Sequence, residues 1–457
     1  MMAVLSLAAA ALPPIEVRGN AFYPQGSDER FYIRGIDYQP GGASNATDPL
    51  ADESNCKRDV PYFKDLGVNA IRVYTIDNSA NHDSCMQMLD DAGIYLILDV
   101  NTPKNSLNRA DENSLKLSYN SGYLQHVFAT IDAFKGYNNT LGFFAANEVI
   151  NAANNTLAAP YIKAVVRDMK HYISKQADRT IPVGYSAADV ADNRWQQMAY
   201  LNCGDDPEAR IDMFGMNDYS WCGDKSSFEI SGYAQNVENY SNYSIPLFLS
   251  EYGCNINSPR TFPEVGAIYS DKMSAVYSGG LVYEYSEEPN HYGLVQIDGD
   301  SVTKLMDYNN FKNALANAQD PSGDGGAKTD GQPAECPSYT ADFWEVPDNY
   351  GIPSTPKYAA NNYFKNGAGK PLGFSGNPTQ WGSSLDDPNA KSSSLSSSQT
   401  TSAANSKGGA SSSQSGASSS KGAASSSGSA TSSKKKNGAS AIEVSYGALA
   451  AFIMYLF

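Results

Sequence analysis

The chain has 457 residues, 41% of them apolar, which is ample for a large core, and a formal charge of −16. The last 67 residues hold six lysines against Glu443 alone, which leaves −21 on residues 1–390. A field of that sign excludes binding along nucleic-acid phosphates and suits a neutral or cationic partner, and outside the tail there is no basic stripe.

In chain order, Met1 to Ala11 is an apolar run ending in small residues, and residues 1–14 read as a secretory signal peptide without the usual preceding positive charge. Apolar β-branched or aromatic runs then predict strands at 31–39, 70–76, 93–101, 140–148, 181–187, 211–220, 246–253 and 279–286. Helices are predicted between them at 62–66, 83–92, 123–134, 157–176, 226–240, 263–277 and 304–317. The clearest is 157–176, where Tyr161, Val165, Met169 and Tyr172 share one face and Lys163, Arg167 and Lys170 turn away. Parallel strands need crossovers, so eight such units in series predict an α/β fold, a (β/α)8 TIM barrel over residues 15–318.

Residues 319–390 show no clear strand or helix period but hold Cys336, Trp344 and Trp381, and are expected to be an extension packed on the barrel. Residues 391–436 are almost entirely Ser, Ala and Gly; such a stretch cannot bury enough surface to offset its ordering entropy, and it reads as a disordered stalk. In residues 437–457, small residues at Asn437, Gly438 and Ala439 precede a polar spacer and an apolar tail too short to span a bilayer. That order is the signal for a glycosylphosphatidylinositol anchor, with Asn437 as the attachment residue. Five N-x-S/T acceptors, at Asn45, Asn138, Asn154, Asn239 and Asn242, and six cysteines without C-x-x-C spacing agree with export to an oxidising compartment.

The chemistry is carried by two runs of like shape. TLGFFAANEV, Thr140 to Val149, ends in Asn147 and Glu148, and PLFLSEYG, Pro246 to Gly253, ends in Glu251 followed by an aromatic and a glycine. Two buried strands that each deliver one carboxyl group suit a retaining glycosidase, in which one group protonates the leaving oxygen and the other, about 5 Å away, attacks the anomeric carbon. Glu148 follows Phe143, Phe144 and two alanines and is expected to be the desolvated, protonated acid. Glu251, with Tyr219 as a donor, is expected to stay ionised as the nucleophile, and Asn147 to donate to the sugar 2-hydroxyl. Gln39, Tyr74, Asp99, Tyr219 and Tyr283 also fall at the ends of predicted strands, where barrel enzymes carry their sites. Tyr74, Tyr219, Tyr283 and Tyr292 are candidate stacking faces for pyranose rings, whereas Tyr285 reads as ordinary packing.

The NE pair and SEYG, with DYQPGG (Asp37 to Gly42), RVY (Arg72 to Tyr74), SYN (Ser118 to Asn120), NDYSWCG (Asn217 to Gly223) and VYEYSEEPNHYG (Val282 to Gly293), closely resemble the fungal β-1,3-glucanosyltransferases of the Gas, Gel and Phr group, glycoside hydrolase family seventy-two. The resemblance covers Ile15 to Trp381. It implies a cell-surface enzyme that cuts β-1,3-glucan internally, keeps the new reducing end as an ester and passes it to the non-reducing end of another glucan. It implies Glu148 as proton donor and Glu251 as nucleophile, with Tyr74, Asp99, Asn147, Asp189, Arg194 and Tyr283 on the sugar and Gln39, Tyr219 and Tyr292 as further matches. On spacing alone, Asp189 and Arg194 are an exposed pair five residues apart. Six cysteines permit fifteen pairings; the resemblance implies Cys56 with Cys85, Cys203 with Cys336 and Cys222 with Cys254. Part of the family carries a cysteine-rich carbohydrate-binding module after the barrel, and this sequence departs from that pattern.

The four histidines, His82, His126, His171 and His291, lack metal-ligand spacing and no Gly-rich phosphate loop follows a strand, so no cofactor and no metal are expected. The expected partners are glucan donor and acceptor chains, with the membrane reached only through the anchor and the chain a monomer. The alternatives are an endo-β-1,3-glucanase, which shares the ester, and a non-catalytic glucan-binding surface protein.

Overall fold

The described residues open with a hairpin, β1 (Ile15–Arg18) and β2 (Ala21–Pro24), which no long apolar run announces. Eight strands then follow: β3 (Ile33–Asp37), β4 (Ala70–Val73), β5 (Tyr95–Asp99), β6 (Thr140–Asn147), β7 (Val183–Ala188), β8 (Met213–Asn217), β9 (Leu247–Tyr252) and β10 (Tyr277–Val282). All pair in parallel, and β10 pairs back onto β3 with Gly279 opposite Ile33, closing an eight-stranded barrel. A second hairpin, β11 (Val295–Asp298) with β12 (Ser301–Lys304), follows β10. This computed structural model describes residues 11–321 and 323–380. Most of the signal segment, Trp381 and the end of the extension, the stalk and the anchor signal with Asn437 lie outside the described residues.

Strand alternation sorts the core into two shells. Ile33, Ala70, Ile97, Leu141, Met213, Phe248 and Leu281 fill the barrel, and Ile15 and Phe22 of the first hairpin join that cluster and plug its lower end. The outer shell lies between the strands and the helices. These are α1 (Glu53–Leu66), α2 (Asp83–Asp91), α3 (Glu112–Ser118), α4 (Ser121–Phe134), α5 (Ala159–Gln176), α6 (Arg194–Leu201), α7 (Tyr233–Asn239), α8 (Val265–Ile268), α9 (Met306–Asn317) and α10 (Lys357–Asn366). Among the described residues no helix is long and apolar enough to cross a membrane.

All eight predicted strands are present, with ends shifted by up to four residues, but several helices differ. The helix predicted at 62–66 begins at Glu53, capped by Asp52, which accepts from the Ser54 amide; Pro61 in its interior hides the first half from a sequence reading. The helix predicted over 263–277 shrinks to Val265–Ile268, and Tyr277 instead opens β10, with buried Arg30 taking the carbonyls of Ser274 and Tyr277. That predicted over 226–240 starts only after Gly232, which adopts a left-handed conformation at φ 83°. Helices α3 and α6 are short additions.

The extension is not without helix. Its α10 packs on α4 and α5, with Tyr363 and Phe364 against Phe128, and its Trp344 is buried against Tyr200. Three disulfides form: Cys56–Cys85, Cys203–Cys336 and Cys222–Cys254. The second ties the extension to the barrel, and the third joins the loops after β8 and β9.

Candidate active site

At the carboxyl ends of the strands the top layer of the barrel centres on Arg72, a fully buried cation in the otherwise apolar strand AIRV. Its Nε and Nη2 donate to the two oxygens of Asp99 at 3.0 and 2.9 Å, its Nη1 to Glu251 Oε1 at 3.1 Å, and its Nη2 also to Asn147 Oδ1 at 3.0 Å. The guanidinium lies 4.3 Å from the ring centre of Tyr74 and 4.9 Å from that of Phe144. Burial opposes its charge, but Asp99, Tyr74 and Glu251 outweigh that and hold its pKa well above the ordinary guanidinium value. Asp37, at the end of β3, is also buried; neither of its oxygens has a hydrogen-bond partner, and burial raises its pKa well above the carboxylate range.

Glu251 comes from β9, and Gly253 follows at φ 107°, in the region where only glycine is at ease. Its Oε1 accepts also from the Tyr74 hydroxyl at 2.8 Å and its Oε2 from the Tyr219 hydroxyl at 2.7 Å, and the residue is 8% exposed. Burial pushes its pKa up to about 7; Arg72 pulls down, the charge of Glu148 adds to the rise, and the two hydroxyls oppose it.

Glu148 sits one residue past β6 in a left-handed backbone conformation, φ 48°. Its amide donates to Ser186 O at 2.9 Å and its carbonyl accepts from Arg109 at 2.8 Å, which holds that conformation in place. Its Oε1 accepts from Asn217 Nδ2 at 2.8 Å. Asn217 cannot turn away, because its own carbonyl accepts from Ser250 at 2.7 Å and Ser186 at 3.1 Å. The expectation that Glu148 is the more desolvated carboxyl is corrected: Glu148 is half-buried and Glu251 is the deeper one. Phe144 packs below it inside the barrel and Phe143 points out to the helices, so neither covers its tip.

Over the pair stand Tyr74, Tyr219, Tyr283 and Tyr292, in edge contact with ring centres 5.4–6.5 Å apart. Tyr285 belongs elsewhere: it packs on Tyr38 and Phe63 and donates to Asp59 at 3.0 Å. Gln39 is buried and braces the end of β4, accepting from the Tyr74 and Thr75 amides at 3.1 and 3.0 Å and donating to Thr47 O at 2.9 Å.

Residues 4–319 match the family described as glucanosyltransferase, Glyco_hydro_72. The chain belongs to the glucanosyltransferase family. It is 59% identical over 362 residues to the 1,3-beta-glucanosyltransferase GAS5 of Saccharomyces cerevisiae, covering 79% of this chain and 73% of the relative. It is 56% identical to gel1 of Aspergillus fumigatus, also a 1,3-beta-glucanosyltransferase, over 79% of this chain and 78% of that one. Among solved structures, Saccharomyces cerevisiae Gas2p in complex with laminaripentaose superposes with a TM-score of 0.69 at 41% identity, covering 76% of this chain and 79% of that chain.

In this glucanosyltransferase Asp189 and Arg194 are set apart from the carboxylate pair. Asp189 directly follows β7 and pairs with Arg194 at 3.0 Å, and Arg194 also donates to Asn236 at 3.2 Å. The pair is largely buried rather than exposed, and burial, with the charge of Asp218, pushes Asp189 up to about 7. The sequence reading quoted Arg72 and Asn217 only inside motifs and gave neither a role. A lone arginine between Ile71 and Val73 in a buried strand is the signal that would have found the first. Nothing local marks the second, whose partners come from β6, β7 and β9.

Proposed function

We propose that this chain is a retaining β-1,3-glucanosyltransferase with Glu251 as nucleophile and Glu148 as general acid and base. The observation that carries the assignment is the unequal hydrogen bonding of the two carboxylates. Glu251 accepts from a guanidinium and two hydroxyls, Glu148 from one amide. Those three donors stabilise the ionised form of Glu251 and aim it, against the burial that pushes its pKa up to about 7, which suits Glu251 to attack and leaves Glu148, with a single donor, to handle the proton.

Glu251 attacks the anomeric carbon of a β-1,3-linked donor, the bond to the departing oxygen breaks, and Glu148 gives that oxygen its proton. The donor's new reducing end is then an ester on Glu251. The non-reducing-end hydroxyl of a second glucan enters where the leaving chain stood and loses its proton to Glu148. Its oxygen bonds to the anomeric carbon, and Glu251 leaves as a carboxylate. Arg72 supplies a fixed cation beside the nucleophile, and Asp99, with both oxygens on Arg72, acts as a positioning residue. The Asn147 carbonyl is taken by Arg72 and Asn217, which leaves its amide to donate to the sugar 2-hydroxyl. Tyr74, Tyr219, Tyr283 and Tyr292 offer faces for pyranose rings, and a well-held acceptor outcompetes water for the ester.

The reading includes export to the cell surface as a monomer, a lipid anchor at Asn437 and N-glycans on the five sequons, whose asparagines Asn45, Asn138, Asn154, Asn239 and Asn242 are all exposed. A mobility shift on glycosidase treatment and release from membranes by a phosphatidylinositol-specific phospholipase check both modifications. The deciding experiment incubates the secreted enzyme with one pure β-1,3-glucan oligosaccharide bearing a reduced end. Products both longer and shorter than the input are expected; only shorter ones would make it an endo-glucanase, and none a binding protein.

A further inference from the structure

The rim cavity after β7, lined among others by Asp189, Arg194 and Trp195, holds residues that the family resemblance places on the sugar. On the other flank of Glu148, β6 pairs with β5, and the loop that leaves the carboxyl end of β5 spans residues 100–111 before α3 begins. A loop of this length with no element of its own needs partners to hold one shape. Within it, Thr102 and Asn105 exchange main-chain hydrogen bonds at 3.1 Å, and the Asn108 amide donates to the Ser118 hydroxyl at 2.8 Å. Further bonds come from the extension, over residues 374–380. The Thr379 amide donates to the Lys104 carbonyl at 3.0 Å, Lys104 Nζ to the Phe374 carbonyl at 2.9 Å, and the Gln380 side-chain amide to the Ser106 hydroxyl. That segment is itself moored: the Phe374 amide donates to Asp77 at 3.3 Å, and Asn120, the N-cap of α4, donates to the Thr379 carbonyl at 3.1 Å.

The same loop carries Arg109, half-buried, whose Nη1 donates to the Glu148 carbonyl at 2.8 Å. Tyr185 accepts from the Ile150 amide at 3.0 Å, so the chain through Glu148 is gripped on both sides of the turn. A left-handed conformation, φ 48°, is unfavourable for glutamate and persists only while its surroundings hold it. We propose that residues 374–380 of the extension form a positioning element for Glu148, acting through the loop after β5 with Arg109 as the positioning residue. The proposal rests on the general-acid reading of Glu148 above. Glu251 takes its supports from Arg72, Tyr74 and Tyr219, none of them in this loop, so loosening the loop disturbs proton transfer and spares the attack.

The test separates the two carboxylates by leaving group. A β-1,3-glucan oligosaccharide, and the same oligosaccharide as its dinitrophenyl β-glycoside, are given to the full secreted enzyme as wild type, Arg109→Met, Arg109→Lys and Thr379→Pro, the last lacking the amide that reaches Lys104. On the aryl donor Glu251 bonds to the anomeric carbon while the aryl oxygen departs with the bonding pair as a stable phenolate, so the first turnover needs no proton from Glu148. With the natural donor, Arg109→Met is expected to lower kcat roughly thirty-fold at unchanged KM, and Thr379→Pro roughly five-fold in the same way. The first-turnover release of phenolate stays within about two-fold of wild type in both. Arg109→Lys, which keeps a donor for the Glu148 carbonyl, recovers most of the natural-donor rate. Equal losses on the two donors mean a general distortion of the site and overturn the proposal, as does a natural-donor kcat that Thr379→Pro leaves untouched. Glu148→Gln is the reference and shows the same split in stronger form; if it does not, the general-acid reading falls and this proposal with it.

Discussion

The top layer of the barrel and the rim cavity after β7 differ in how their polar groups are held. In the top layer Arg72 alone makes hydrogen bonds to Asp99, Asn147, Ser250 and Glu251, and Asn217 is fixed by two serines before it reaches Glu148. At the rim Arg194 has an aspartate and one amide, and Trp195 stands open to solvent. A reacting carbon tolerates little misplacement, so the groups around it are over-determined, whereas binding a long polymer adds many modest contacts and needs no single one fixed.

The contrast breaks first at Glu251. Glu251→Gln is expected to lower kcat by more than about 10³-fold while leaving oligosaccharide affinity within a few-fold, measured by transfer assay and calorimetry. Arg72→Lys keeps the charge but cannot hold Asp99, Asn147 and Glu251 together, and a fall in kcat of roughly 10²-fold is expected without a matching rise in KM. If KM alone rises, the top layer is no more pre-organised than the rim. Asn217→Ala frees Glu148 and is expected to lower kcat roughly ten-fold. In the wild type kcat/KM falls as pH drops through about 7, where Glu251, pushed up by burial, takes a proton and can no longer attack. Tyr219→Phe removes one hydroxyl that holds Glu251 ionised and should move that limb to higher pH, and an unmoved limb would mean that Glu251 is not the nucleophile. At the rim, Arg194→Ala is expected to raise acceptor KM several-fold and leave the rate of donor cleavage unchanged, which separates the two regions directly. The smallest effect on chemistry comes from replacing Cys222 and Cys254 with serine, which lowers stability by about 3 kcal/mol in a denaturant titration while the remaining folded enzyme keeps most of its kcat.

The strands were legible because most are apolar runs buried on both faces, and the position of Glu148 and Glu251 at the ends of two such runs needed nothing more. Helix limits were not, since Pro61 sits inside α1 and the run predicted to end at Tyr277 gives that residue to β10 instead. Helix α10 has only Ala359 and Tyr363 fully buried in ten residues, too few to show a period. The depth of the two glutamates was misjudged for a related reason: the residues before Glu148 report what lies beneath its strand, while its exposure depends on what lies across the barrel mouth. Trp195 carries no local mark at all, because exposure is a property of the whole surface.

The pairing of β10 with β3 brings Gly279 against Ile33, and farther on the amide of Asn20 in the first hairpin donates to the carbonyl of Lys328 in the extension at 3.0 Å. A ribosome delivers these partners far apart in time, so the opening strands wait, unpaired on one edge, until nearly the whole catalytic region has emerged. Loop closure over such distances slows folding and leaves strand edges open to other chains meanwhile. The yield of folded enzyme is therefore governed by how well those early strands are shielded as much as by the stability of the finished barrel.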